Sequence, residues 1–294
     1  MRRSRTSTGP LAEPDAALGR ILESDCRKLG RVLAPHAVAV DAALDARLKR
    51  GGYATAERRS MLGITPLSAI LRIGGGGTME SFAEEVRYRG RGLAKLGLTP
   101  AAVIQGLREA DQAVAPVLAG APRPAAQQYQ RVRDGLNFLI VLALNASYHA
   151  VREAESRAFY ELFRVETDSR DLADMLEGFR EVLHRYTGAA EARIYWIGDA
   201  VPDSAQPAGA DPLHHVARVR HARQLERMQC YVPSRRCLAD PAWERRFAQC
   251  WAVPLRDSQG LRGVMIFAFP KLYPWLPRER ELLAAAAKRC GLAA

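Results

Sequence analysis

Six histidines and five cysteines are the side chains of this 294-residue chain best suited to hold a metal or act as nucleophiles. Cys26, Cys230, Cys237, Cys250 and Cys290 include no CxxC pair, and Cys230, Cys237 and Cys250 lie nearest in sequence to His214, His215 and His221. The spacings match no zinc motif, so reduced and mostly packed thiols are expected. No serine sits in a G-x-S-x-G context, which removes the nucleophile-elbow chemistry. The carboxylate pairs Glu84-Glu85 and Glu279 with Glu281 lie in charged helical segments, where solvation explains them. His184, beside Arg185, is followed by no kinase-type motif that would make it a phospho-acceptor. Gly74 to Gly77 could cradle a phosphate, but Thr78-Met79-Glu80-Ser81 follow instead of Lys-Ser/Thr. That run therefore reads as a connection, with Thr78 or Ser81 capping the next helix. No catalytic constellation emerges, and the chain is expected not to be an enzyme.

The elements that must position these residues are those of an ordinary globular protein, with 48% hydrophobic and 26% charged residues. The length suits about two domains. No stretch offers the roughly 20 apolar residues of a membrane-spanning helix. Leu136 to Val151 comes nearest and is interrupted by Asn137, Asn145 and Ser147. The opening MRRSRTSTGP is basic with no apolar run behind it, unlike a secretory signal, so a cytoplasmic location is expected. Part of the net charge of +11 sits in Arg2, Arg3 and Arg5, within a tail over 1–15 expected to be disordered. A second cluster places eight arginines between Arg218 and Arg246 against Glu226, Asp240 and Glu244. No aromatic platform, helix-turn-helix or zinc-finger spacing accompanies them, so nucleic acid is not the expected partner. The cluster is either a solvated face or a docking surface for an acidic partner or anionic ligand.

Helical spacing runs through Leu18, Ile21, Leu22, Leu29, Val32 and Leu33, breaks at Pro35, and resumes at Val38. Further helices are expected near Ala56 to Leu62 and over Ser81 to Leu96. Thr99 as N-cap and Pro100 at the first position start another. From Gln127 to Arg164 the pattern continues with no break but Gly135, long enough to project from one domain toward the next and offer a dimer seam. Another helical segment ends at Gly188, and Ala192 to Gly198 reads as a strand with Ile194 and Trp196 on one face. Cys250 to Leu255 and Arg262 to Phe269 are joined by Asp257-Ser258-Gln259-Gly260, a hairpin signal. Pro277 then opens a closing helix with Glu279 and Glu281 in its first turn and Lys288 and Arg289 near its end.

The strings Cys250-Trp251-Ala252-Val253-Pro254-Leu255 and Pro274-Trp275-Leu276-Pro277-Arg278-Glu279, within this strand–turn–strand–helix order, resemble GAF domains of bacterial sensor histidine kinases. The resemblance covers about 125 residues and stops before any kinase motif, so it implies the input half of a kinase or a stand-alone relative. The earlier helices, with Leu93-Ala94-Lys95-Leu96-Gly97-Leu98-Thr99-Pro100 between two of them, are similar to sensor-globin and stressosome-type regulatory domains. In haem-binding members an iron-ligating histidine stands about four residues before that glycine. Leu93 holds the matching position here and has no lone pair for iron, so no haem or other cofactor is expected.

The expected fold is multidomain: a globin-like all-α bundle over 16–165, ending in a long linker and dimerisation helix, then an α+β GAF domain over 166–294 with an antiparallel sheet flanked by helices. The expected function is a non-catalytic sensory input module that binds a small ligand or partner. It would pair with a second copy through helices in 127–187 and pass the signal to a kinase or other output partner. A ligand would lie over the sheet under the segment 213–247, lined by Ile194, Trp196, Trp251, Val253, Met265 and Phe267, with Arg218, Arg235 or Arg236 supplying charge. The same aromatic and aliphatic residues could instead fill a dry core. An alternative function is a basic adaptor that binds nucleic acid or an acidic protein through the arginine cluster.

Overall fold

The structure, a computed structural model, describes residues 12–196, 229–231, 246–258, 260–273 and 275–293. The chain divides into two compact units, Met1–Val151 and Arg152–Ala294. The domain boundary expected at 165/166 falls close to the end of the helix that begins in the first unit and ends in the second.

The first unit is helical: α1 Ala12–Leu33, α2 Ala37–Arg50, α3 Thr55–Leu62, α4 Pro66–Gly74, α5 Met79–Leu96, α6 Pro100–Ala119 and the start of α7 Arg123–Asp168. Pro35 lies in a single 3-10 turn, Ala34–His36, between α1 and α2. Three helices start with the same device. Thr65, Thr78 and Thr99 stand in extended backbone, and their hydroxyls accept from the amides of Ser68 (3.1 Å), Ser81 (3.1 Å) and Ala102 (3.2 Å). Each satisfies one of the amides that a helix start leaves without a partner. Leu29, Leu48, Ile70, Phe82, Val86, Val103, Leu136 and Ile140 meet in one core. Leu93 is fully buried in that core. Where α1 crosses α4, a Cβ on Gly30 would stand 3.1 Å from the Cα of Gly74, so a side chain there would push the two backbones apart by a few tenths of an ångström.

The second unit contains the last turns of α7, then α8 Leu172–Thr187, the strands β1 Glu191–Trp196, β2 Gln229–Tyr231, β3 Gln249–Asp257 and β4 Gly260–Phe269, and the closing helix α9 Pro277–Ala293. All neighbouring strands are antiparallel, in the order β1-β4-β3-β2. β3 and β4 form the expected hairpin, paired from Gln249↔Phe269 to Asp257↔Gly260 with an irregularity at Leu255/Arg256. Asp171 caps α8 by accepting from the amide of Asp174 at 2.9 Å. Among the described residues no helix is long and apolar enough to cross a membrane.

Near its end α9 lies directly on the hairpin. A Cβ on Gly291 would come within 2.0 Å of the Arg256 carbonyl oxygen, and a backbone atom cannot swing aside. Gly291→Ala is expected to destabilise the second unit by about 2–3 kcal/mol, as overpacking does. Gly92→Ala, where nothing lies within 4 Å of the added atom, should stabilise α5 by about 0.5–1 kcal/mol. Urea unfolding of the two variants checks the opposite signs.

Candidate functional site

The sheet has two apolar faces of different character. Side chains alternate along β3 and β4, so Trp251, Val253 and Leu255 share a face with Met265, Phe267 and Phe269. The register places Ile194 and Ala192 of β1 on the same side, opposite Met265 and Phe267. Phe179 and Leu183 of α8 and Leu282, Leu283, Ala286 and Cys290 of α9 pack on this face. Trp275, from the connection before α9, closes its end. Its ring lies 4.4 Å from Trp251 in a stacked arrangement and meets Phe267 (5.5 Å) and Phe269 (6.0 Å) edge-on.

Hydrogen bonds fix the same connection. The Trp251 indole donates to the Tyr273 carbonyl at 3.2 Å, and the Tyr273 amide donates to the Gln249 side chain. The Tyr273 hydroxyl donates to Glu279, whose other oxygen accepts from the Leu276 amide at 3.0 Å and so caps α9. Cys290 is fully buried, and burial pushes its thiol up to about 12.

The lining candidates Ile194, Trp251, Val253, Met265 and Phe267 are thus brought together, at 9%, 8%, 2%, 1% and 0% exposure. They belong to the helix-facing core. Trp196 ends β1 opposite Gly263. Arg218, Arg235 and Arg236 lie outside the described residues, as does 213–247 apart from β2 and residues 246–247.

The opposite face carries Cys250, Ala252 and Pro254 from β3 and Val264, Ile266 and Ala268 from β4. None of these side chains is aromatic, and all but Pro254 are buried. Arg193 of β1 aligns with Ile266 on this face and, half-buried, donates to Glu191 at 3.3 Å. Arg246 reaches the other oxygen of Glu191 at 2.8 Å. The Arg193 guanidinium thus stands beside an apolar face buried as deeply as the helix-covered one. Arg193 was legible in the sequence: once Ile194 points one way, alternation points residue 193 the other.

A solvent-open groove of about 550 Å³ between the end of α7 and α8 is lined by Glu161, Asp168, Asp174, Glu177 and Glu181, with Arg164 and Arg185. Its excess of carboxylates repels an anionic ligand. Among the described residues no cluster of His, Cys, Asp or Glu could hold a metal ion.

A family model for the GAF domain matches residues 171–294. No curated protein matches the chain. Residues 171–294 are a GAF domain, the C-terminal part of a chain whose preceding region is mostly helical. GAF domains are in general sensory or regulatory modules that bind small ligands.

Two ion pairs join the last turns of α7 to α9. Arg278 donates to Glu155 at 2.7 Å, and Arg289 pairs with Glu166 while its guanidinium lies 5.9 Å from the Phe163 ring centre. Glu155 is only 9% exposed, so a missing partner would leave a carboxylate poorly solvated. Arg278→Ala is expected to cost about 2 kcal/mol, less than a fully buried pair because the guanidinium is partly hydrated. The double variant Glu155→Gln/Arg278→Met should recover most of the loss in the same urea titration. The raised thiol pKa has a sign of its own. An unfolded thiol ionises near pH 9 while folded Cys290 keeps its proton, so this contribution to stability is whole below pH 9 and is lost as pH rises toward about 12. Alkylation at pH 8, read by peptide mass spectrometry, should label Cys26, Cys250 and Cys290 only on unfolding, since all three are buried.

Proposed function

We propose that this chain is a sensory input module that makes no bonds, in which the GAF domain takes a small anionic ligand such as a nucleotide on the sheet face opposite α8 and α9. The observation that carries this reading is the contrast between the two faces. One is filled by Trp251, Phe267, Phe269 and Trp275, and the other presents Ala252, Ile266 and Ala268 with Arg193 beside them. A guest on the second face would take apolar contact from Ala252, Ile266 and Ala268 and charge from Arg193. The residues favoured for ligand contact therefore move from Trp251, Val253, Met265 and Phe267 to their alternating neighbours. β3 and β4 connect both faces to α9, and α9 is tied to α7 by the two ion pairs, which offers a route from ligand to helix. A preceding helical domain of globin-like type, a paired second copy, and a histidine kinase or other output partner in the cytoplasm complete the reading. Leu93 within the first core leaves that part of the reading free of haem.

A thermal-shift screen of mono-, di- and cyclic nucleotides on the whole chain tests it. A ligand present at about 100 times its dissociation constant should add ~2.7 kcal/mol of stability. Ile266→Trp, which crowds the second face, and Arg193→Ala, which removes the charge, should each abolish the shift while the variants remain folded. A shift that survives both substitutions would place the ligand elsewhere.

A further inference from the structure

The helix α7 carries a stripe that is exposed among the described residues. Residues 138, 142, 145, 149, 152, 156, 159 and 163 follow one another in alternating steps of four and three, and all eight are exposed. They are Phe138, Leu142, Asn145, His149, Arg152, Ser156, Phe159 and Phe163, and Tyr160 flanks the last pair. Exposure reaches 68% at Phe138, 53% at Leu142, 63% at Tyr160 and 51% at Phe163. Other faces of the same helix are occupied: Val132, Leu136 and Ile140 sit in the core of the first unit, and Ala158 and Leu162 in that of the second.

We infer that this stripe is the seam at which a second copy of the chain packs, helix α7 against helix α7. Steps of four and three average 3.5 residues, the spacing at which two helices keep one seam in contact along their length. The stripe has apolar ends and a polar middle, which makes it complementary to itself. In-register parallel pairing stacks each layer on its own copy. Antiparallel pairing sets Phe138 on Phe163 and Leu142 on Phe159, with Asn145 opposite Ser156. The area decides in favour of a macromolecular partner. With an aromatic side chain presenting on the order of 200 Å², the five apolar residues leave roughly 500 Å² of apolar surface. A standard interface buries about 800 Å² per partner, a little over half of it apolar, so the stripe meets that need. The inference specifies the pairing of copies in the regulatory reading above, but it does not depend on a ligand.

Sedimentation velocity of the whole chain across a dilution series tests the seam. The expected result is a concentration-dependent dimer. Phe138→Glu/Leu142→Glu and Phe159→Glu/Phe163→Glu should each weaken it by roughly 100-fold or more, with circular dichroism unchanged. If a variant loses its fold, exposed cysteines decide instead. Ser156→Cys should form a disulfide with its own copy in a parallel dimer, or with an Asn145→Cys chain in an antiparallel one. Either cross-link supports the seam. A chain that stays monomeric at every concentration, a dimer indifferent to all four glutamates, or the absence of both cross-links overturns it. A nucleotide-induced thermal shift that persists in a monomer would refute the seam alone and leave the ligand reading intact.

Discussion

The second unit depends on the seating of one indole. Trp275 enters from the connection between β4 and α9 and is surrounded by Trp251, Phe267 and Phe269, which span both central strands. Large rings meeting edge-on and offset gain more than their buried area alone supplies. The gain is directional: the ring geometry fixes where the connection leaves the sheet, and the hydrogen bonds among Gln249, Tyr273 and Glu279 hold it there. α9 begins at the point those contacts define. Its course over β3, down to the glycine that touches the Arg256 backbone, follows from that start.

The division of labour between the two sheet faces follows from the same constraint. A face covered by helices must be filled to the density of an organic crystal, and rings fill it. The face turned away carries alanine, valine, isoleucine and cysteine. Its residues lie outside the helix-facing core, so any change of contact there reaches α8 and α9 only through the strands.

Much of this was legible in the sequence where a local rule is strong. The hairpin turn, the Thr99-Pro100 helix start and the closing helix at Pro277 all lie where turn and capping chemistry place them. The same Thr-Pro signal occurs at Thr65-Pro66 and marks α4, a nine-residue helix absent from the expected elements. The helix expected to start near Gln127 starts at Arg123, since Pro124 is tolerated in a first turn that needs no amide donor there. Alternation correctly grouped Ile194, Trp251, Val253, Met265 and Phe267 on one side of the sheet. It could not say which side the helices cover, because both faces are apolar and the pattern reads the same from above and below. Side-chain size held part of that information, since the rings of Trp251, Phe267 and Phe269 share one face of the two central strands.

The two arginine–glutamate pairs between α7 and α9 lie eleven residues apart on both helices, from 155 to 166 and from 278 to 289. Equal intervals mean that the two helices run in the same direction, bolted at two points about three turns apart. Sliding one along the other by a turn would set Arg278 beside Phe159 and carry Arg289 past the last residue of α7, and sliding the other way would meet Val151 and Leu162. Neither offset offers either cation a carboxylate. A piston stroke between these helices is therefore disfavoured. Whatever tilts or rolls α9 must carry the end of α7 with it, as a pair of spars moves when one is levered.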